Sequence, residues 1–266
     1  MTADVLLHLD NGVLVVAMNR PAKKNALTAQ MYSALADALA EADRRDDVRV
    51  VLLHGEGGNF TSGNDLGLFV NGQATEHPEA PAATFLRAVI ALRKPMVACV
   101  CGHAVGIGAT VLLHCDYVVA SDDARIRFPF VDLGLCPEFA STLLLQQVVG
   151  RNKATEWLLL AATIPAAEAH RAGLINRVLP LETVAAEALS VARCLATKPR
   201  QALMATRGLV REATAALVRD SLQRETVVFD TLRRSPEAQE IFRRFLQRAP
   251  VRTAGGQGAA TQFEVL

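Results

Sequence analysis

The segment "MVACVCGHAVGIGATVLLHC" (residues 96–115) decides how the fold is predicted. Its first six residues are apolar and end at Gly102, a pattern typical of a buried strand. Gly106 and Gly108 then open an apolar stretch that predicts a short buried helix. Because two histidines and three glycines interrupt these 20 residues, they favour a strand and a helix over a membrane span.

The same strand-and-helix order is found on the N-terminal side of this segment. "GVLVVAMNR" (12–20) and "VRVVLLHG" (48–55) predict buried strands. Between them Thr28 is a candidate N-cap for a helix over 28–47, and a second helix is predicted over 80–94. The repeated order predicts an α/β fold of stacked units with largely parallel strands.

The character of the chain changes after Gly150, where segment after segment has helical periodicity. We therefore predict a core over residues 1–195 and a helical oligomerisation region over 196–250. Residues 251–266 contain little that a core could bury, and we expect this tail to be disordered.

Composition excludes several classes of partner. The chain has 28 Lys and Arg against 27 Asp and Glu, so its charge gives no reason to expect nucleic acid or an anionic membrane as a partner. Its five cysteines show no CxxC or zinc-type spacing, and we expect buried thiols in a reducing compartment. Residues 1–12 contain no apolar core of signal-peptide length, which favours a cytoplasmic location. We expect no bound metal and no redox cofactor.

The glycine loop at 101–108 is compatible with two kinds of chemistry. Its Gly102, Gly106 and Gly108 match the loop of short-chain dehydrogenases, with Asp122 and Asp123 at a suitable distance for a ribose contact. Against a dehydrogenase, the loop lies in mid-chain, and neither tyrosine is followed four residues later by lysine. Alternatively, glycines at a helix start free backbone N–H groups to stabilise an oxyanion, and "FTSGNDL" (60–66) is a second such loop.

The two loops, followed by "VDLGLCPEFAST" (131–142), resemble the crotonase (enoyl-CoA hydratase/isomerase) superfamily. "NRPAKKNALT" (19–28) and "AAEAHRAGLINRVLP" (166–180) add to the likeness, which covers residues 5–250 in unbroken order. The resemblance implies a spiral of ββα units with a C-terminal helical trimerisation region. It also implies an acyl-CoA thioester as substrate, so that coenzyme A belongs to the substrate and is not a separate cofactor, and a homotrimer or hexamer as the assembly.

The resemblance also assigns site residues. The backbone N–H groups of Asn64 and Ile107 would form an oxyanion hole. Other residues of the same segments would contact the substrate or its coenzyme A moiety, namely Lys23, Lys24, Ser62, Gly63, Asp65, Leu66 and Gly106. Taken by themselves, Lys23 and Lys24 also fit a solvated basic turn, and Asp65 also fits a loop or helix cap.

The acids decide which reaction the resemblance implies. Hydratases of the superfamily use two glutamates, and the matching positions here are Thr110 and Phe130. Peroxisomal-type Δ3,Δ2-enoyl-CoA isomerases instead place one glutamate at the position of Glu138, and one base suffices for a 1,3 proton shift. The resemblance thus implies an isomerase, with another acyl-CoA activity or a catalytically weak acyl-CoA-binding paralogue as alternatives.

Four polar residues have simpler interpretations. Without the resemblance, Glu138 would be an acid in the first helical turn after Pro137. Asp132 fits a solvent-facing residue better than a displaced catalytic acid. His103 and His114 lie among apolar residues, and we expect both to be hydrogen-bonded in the core.

Overall fold

The structure is a computed structural model that describes residues 3–69 and 80–247. Nine strands lie in these ranges: β1 (Val5–Asp10), β2 (Val13–Met18), β3 (Val50–Gly55), β4 (Met96–Val100), β5 (His103–Val105), β6 (Tyr117–Ser121), β7 (Arg125–Arg127), β8 (Ile164–Pro165) and β9 (Arg177–Leu179). Six of them form one sheet in the order β1-β2-β3-β4-β6-β9, which is parallel from β2 onwards. The predicted α/β class and largely parallel strand order are confirmed.

Strand β1 was not predicted, and it pairs antiparallel to β2 at the edge of the sheet. It lacks a buried apolar run, because Leu6 and Leu7 are 40% and 54% exposed. The signal that was present is the Asn11-Gly12 pair, since both residues have positive φ (47° and 84°), as a two-residue hairpin turn requires.

The helices are α1 (Ala29–Arg44), α2 (Pro81–Ala91), α3 (Ile107–Thr110), α4 (Ser141–Val149), α5 (Arg151–Leu160), α6 (Ala166–Arg171), α7 (Leu181–Thr197), α8 (Arg200–Arg233) and α9 (Pro236–Gln247). Short 3-10 helices cover Pro21–Lys23, Leu66–Leu68, Val111–His114 and Val131–Leu133. Helix α1 begins where predicted, because the Thr28 hydroxyl accepts a hydrogen bond from the Met31 N–H at 3.2 Å.

Helices cover both faces of the large sheet. One face packs against a core cluster that includes residues of α1 and α2, and the other face packs against α7. Every residue of β2, β3 and β4 is buried, which explains why these strands are continuous apolar runs. A small second sheet, in the order β5-β7-β8, follows β4 and places the start of α3.

The C-terminal part is helical, as predicted, but the periodic segments at 199–213 and 217–235 form a single 34-residue helix, α8. Helix α8 contacts α4, and α9 contacts the 3-10 helix Leu66–Leu68. The predicted boundary after residue 195 falls in the last turn of α7, which packs on the sheet. The predicted tail at 251–266 lies outside the described residues, and the division into domains stays a prediction.

The cysteines differ in exposure. Cys99 and Cys101 are buried and all five thiols are free, but Cys194 is exposed, so the prediction of buried thiols is wrong for that residue. It lies in α7 but is not part of the buried apolar face of this helix. None of the helices at 3–69 and 80–247 is both long and apolar enough to cross a bilayer.

Candidate active site

The two glycine loops of the sequence meet in the structure. Thr61 pairs with Ala104 in an isolated parallel bridge, so the first loop runs beside β5. Gly63 has φ +90°, and a Cβ atom at this position would lie 2.7 Å from the carbonyl oxygen of Val105. Only glycine permits both this conformation and this close approach. The contact holds Asn64 next to the loop that contains Gly106 and Ile107.

The N–H groups of Asn64 and Ile107 have no acceptor among the described residues. Leu27 pairs with Asn64 in an isolated parallel bridge, but its hydrogen bonds go to the two residues that flank Asn64. The Leu27 N–H donates to the Gly63 oxygen at 2.8 Å, and the Leu27 oxygen accepts from the Asp65 N–H at 3.0 Å. The N–H of Asn64 therefore points to the opposite side. Ile107 is the first residue of α3, where an N–H has no partner within the helix. Two free donors thus lie on adjoining loops.

A cavity of about 580 Å³ adjoins Asn64. Its wall is mainly apolar and includes Leu68 and Phe69, which follow the first loop, Leu86 of α2, and Leu222 and Phe229 of α8. The ring of Phe69 packs on the rings of Phe229 and Phe242 at centroid distances of 6.1 and 5.4 Å, which ties the C-terminal helices to this wall. The cavity therefore has the size and polarity of a small-molecule site.

Glu138 is half-buried and lines this cavity. Burial raises the pKa of its carboxyl to about 8, although the hydrogen bond from the Thr110 hydroxyl, 2.6 Å from Oε1, lowers it. The nearby charge of Glu225 raises the pKa further. The sequence left open whether burial or a helix N-terminus would dominate, and the structure shows that burial does.

Glu138 does not lie in a helix. Helix α4 begins at Ser141, after Phe139 and Ala140, which both have left-handed backbone conformations with φ of +65° and +57°. The interpretation of Glu138 as an ordinary acid of a first helical turn is therefore wrong. Pro137 does not open a helix, because the two left-handed residues separate it from α4.

The two positions at which superfamily hydratases carry acids hold no carboxylate. Thr110 is buried in α3 and donates to Glu138, and Phe130 is buried and 5% exposed. Asp132, the possible displaced acid, forms an ion pair with Arg127 at 2.6 Å and is about half exposed. Besides Glu138, the carboxylate among the described residues that line the cavity is Asp230, which pairs with Arg233 at 3.2 Å.

Sequence reasoning missed Tyr32, which lines the cavity and donates a hydrogen bond from its hydroxyl to the side-chain oxygen of Asn64. Burial raises the pKa of the phenol well above its usual value, and the charge of Glu138 adds to this effect, so the ring stays neutral. The only signal in the sequence was the apolar face of α1, on which Tyr32 follows Met31, and that signal equally describes a core residue.

The other predicted contact residues cluster beside Gly63. Ser62 donates from its N–H to the Lys24 oxygen at 2.8 Å and from its hydroxyl to the Lys23 oxygen at 3.2 Å. Asp65 pairs with Arg20 at 2.8 Å and caps the 3-10 helix Leu66–Leu68, as its simpler interpretation predicted. Leu66 packs on the core and is not among the described residues that line the cavity.

Both histidines are hydrogen-bonded, as predicted, but only His114 lies in the core. His114 is buried and its Nε2 lies 2.8 Å from the Phe139 oxygen, while the two rings stack at 3.9 Å. His103 is only half-buried, with its Nδ1 2.8 Å from the side-chain oxygen of Asn59. Neither ring lines the cavity, among the residues that the structure describes.

Comparison with known proteins identifies the family. The family model described as Enoyl-CoA hydratase/isomerase matches residues 8–253. The chain belongs to the enoyl-CoA hydratase/isomerase family. A crystal structure of an enoyl-CoA hydratase/isomerase from Pseudoalteromonas atlantica T6c superposes with a TM-score of 0.88 at 38% identity, covering 93% of this chain and 99% of that one. The predicted crotonase-type fold is thereby confirmed, and the dehydrogenase alternative is not supported.

The relatives within the family differ in the activity that their names give. A mouse protein named peroxisomal enoyl-CoA delta isomerase 3 is 36% identical over 69% of this chain and 59% of its own length. A probable enoyl-CoA hydratase of Mycobacterium leprae is 30% identical over 89% of this chain and 92% of its own length. Family membership therefore does not choose between isomerase and hydratase, and the site residues have to carry that choice.

Proposed function

We propose that this enzyme is a Δ3,Δ2-enoyl-CoA isomerase, which moves the double bond of a 3-enoyl-CoA into conjugation with the thioester. One observation carries the proposal. Glu138 lines the cavity together with Asn64 and accepts a hydrogen bond from Thr110 of the helix that begins at Ile107, while the positions of the hydratase acids are occupied by Thr110 and Phe130. A syn hydration requires a second acid–base group to hold water, whereas a proton shift requires only one.

The reaction needs one proton to leave and one to return. The ionised carboxylate of Glu138 removes a proton from C2, which is acidic because it lies between the thioester carbonyl and the double bond. The electrons move onto the thioester oxygen and form a dienolate, which the N–H groups of Asn64 and Ile107 stabilise. Glu138 then returns the same proton to C4, giving the 2-enoyl product. A pKa near 8 makes its carboxylate a stronger base than an ordinary glutamate.

The substrate contacts around the oxyanion hole are also proposals. Gly63 and Gly106 bring the main chain close to the thioester, and Ser62, Asp65 and Leu66 belong to the same loop. Lys23 and Lys24 follow Arg20 next to this loop, and their ammonium groups would attract the phosphates of coenzyme A. The predicted cytoplasmic location stays a prediction.

Wild-type protein on two substrates tests the proposal. We expect purified enzyme to convert 3-enoyl-CoA to 2-enoyl-CoA, followed by absorbance of the conjugated product, and to hydrate 2-enoyl-CoA at least about 100-fold more slowly, since one acid–base group is missing. Coenzyme A should raise the melting temperature and NAD should not. Hydration at a comparable kcat/KM would contradict the proposal and favour a hydratase, and binding without turnover would favour a paralogue that only binds acyl-CoA.

We further propose that the enzyme forms a homotrimer or a hexamer, with α8 at the interface between subunits. Large apolar side chains lie exposed on this helix, with Leu209 and Val210 each 70%, Leu217 53% and Val227 64% exposed. Val210 and Leu217 are seven residues apart, which is close to two helical turns, so they share one face. Apolar side chains in such a row are typical of an interface between subunits.

Placing a charge in this row tests the assembly. We expect Leu217→Glu to lower the mass measured by light scattering to that of a monomer or to weaken the assembly with dilution, because the carboxylate would lose its hydration at the interface. Ala34→Glu introduces the same charge on the exposed side of α1 and should leave the mass unchanged. A wild-type protein that is monomeric at all concentrations would contradict the assembly.

A further inference from the structure

Glu225 is an acid of α8 that is almost completely buried, with 6% of its surface exposed. It does not line the cavity, and the mechanism above does not use it. Such a carboxylate is costly to bury unless hydrogen-bond donors surround it. The Ser221 hydroxyl of the same helix donates to its Oε1 at 3.3 Å, and the other donors belong to the segment that follows Glu138.

The carboxylate of Glu225 caps α4 from another helix. Its Oε2 accepts from the Ala140 N–H at 2.6 Å, and its Oε1 accepts from the Thr142 N–H at 2.9 Å and from the Thr142 hydroxyl. Helix α4 has no cap of its own, because its N-cap residue is Ala140. An anion at this end satisfies N–H groups that lack intrahelical partners and interacts favourably with the helix dipole. Burial raises the pKa of the Glu225 carboxyl, whereas the hydrogen bonds that both oxygens accept lower it and favour the ionised form.

The capped turn carries the proposed base. Phe139 and Ala140 are two consecutive non-glycine residues with left-handed conformations, and such residues persist only where their surroundings hold them. His114 holds the Phe139 oxygen at 2.8 Å on one side, and Glu225 holds the Ala140 N–H on the other. The direction of the Glu138 side chain depends on this turn, because Glu138 immediately precedes it.

We propose that Glu225 is a positioning residue for Glu138: it fixes the strained turn after the base and places a negative charge close to it. The inference rests on the proposed function only in naming Glu138 as the base. It makes α8 part of the catalytic apparatus, in addition to a wall of the cavity. The negative charge of Glu225 raises the pKa of Glu138, because it disfavours a second negative charge nearby.

Other groups face Glu138 from each element that surrounds it. Tyr32 of α1 and Thr110 of α3 are neutral, and burial lowers the pKa of His114 to about 4, so its ring is neutral too. Burial raises the pKa of the Cys136 thiol to about 11. Further charged residues line the same cavity: Arg87 of α2 and Arg219, Asp230 and Arg233 of α8. Of all these groups, Glu225 is the one whose charge raises the pKa of Glu138.

The experiment compares Glu225→Gln with Glu225→Asp. We follow the titration of the Glu138 carboxyl by 13C NMR, assigned with Glu138→Gln, and the pH dependence of kcat and KM for 3-enoyl-CoA. Glu225→Gln removes the charge, so the Glu138 midpoint should move to lower pH by about half a unit or more. We expect kcat to fall about 10- to 100-fold, because the turn is no longer held, with KM changed less than about twofold.

Glu225→Asp keeps the charge but shortens the side chain. The Glu138 midpoint should stay near that of the wild type while kcat falls, which separates the effect of charge from that of position. Glu212→Gln is the matched control, since Glu212 is an exposed acid of the same helix about 20 Å away. It should change neither quantity.

The outcomes distinguish this proposal from the proposed function. An unchanged Glu138 midpoint and an unchanged kcat in Glu225→Gln would overturn the role of Glu225 even if the wild type isomerises. A shifted midpoint in a protein that does not isomerise any substrate would support the coupling and overturn the isomerase. If Glu225→Gln does not fold, Glu225→Asp decides, because wild-type kcat with the shortened carboxylate would overturn the positioning role.

Discussion

Replacing Glu138 with Gln should lower kcat for isomerisation by about 10²- to 10⁴-fold, the usual contribution of a general acid–base group. The amide keeps the shape of the side chain and can still accept the hydrogen bond that Thr110 donates at 2.6 Å, but it cannot take up a proton. The affinity for acyl-CoA should change little, because the cavity and the two free N–H groups remain. Initial-rate assays on 3-enoyl-CoA would measure kcat, and isothermal titration calorimetry would measure the affinity for acyl-CoA.

The matched control is Asp132→Asn. Asp132 is the nearby acid that could replace Glu138 in an alternative mechanism, but it pairs with Arg127 at 2.6 Å on the surface. We expect this variant to keep wild-type kcat. Full activity of Glu138→Gln would remove the proposed base, and loss of activity in Asp132→Asn would transfer the role to Asp132.

The pH dependence of the wild type and of Glu138→Gln tests the raised pKa of Glu138. Glu138 must be ionised to act as a base, so kcat/KM of the wild type should rise with pH up to about 8. Its pKa in the folded protein is higher than in the unfolded chain, so the stability that it contributes is complete below about pH 4.5 and is lost as the pH rises through about 8. Glu138→Gln does not ionise, and its melting temperature should therefore exceed that of the wild type at pH 9 but not at pH 4.

Gly63→Ala should have the second largest effect. The new Cβ would lie 2.7 Å from the Val105 oxygen, in a backbone conformation with φ +90° that disfavours any L side chain. The two loops must then move apart, and the N–H of Asn64 moves with them. We expect kcat to fall about 10²- to 10³-fold, as when one oxyanion-hole donor is lost. The strain should also cost about 1–3 kcal/mol of stability, measured by denaturant unfolding.

Gly67→Ala is the control for this loop. Its Cβ would meet only the side-chain oxygen of Asp65 at 3.3 Å, and a side-chain end can move. We expect near wild-type kcat and stability. If Gly63→Ala keeps wild-type kcat although it is destabilised, the N–H of Asn64 does not contribute to catalysis.

Local patterns were sufficient for most of the fold. Continuous apolar runs predicted the buried strands β2, β3 and β4, and Thr28 predicted the start of α1. Strand β1 escaped because it is an edge strand with exposed residues. Helix α8 was predicted in two pieces because periodicity reports a local face and does not show where one helix continues into the next.

For the site, the sequence by itself determined the residue types. It placed glycines where two loops free their backbone N–H groups, one acid at position 138, and no acid at positions 110 and 130. These are properties of single positions, and motif spacing records them.

Only the tertiary structure decided how these positions act together. It brought Gly63 against Val105, directed Tyr32 to Asn64, and placed Glu225 of α8 behind the turn that follows Glu138. It also decided that burial outweighs hydrogen bonding in setting the pKa of Glu138. The physical reason is the same in each case. Contacts and desolvation depend on which distant segments of the chain surround a group, and local sequence patterns do not contain that information.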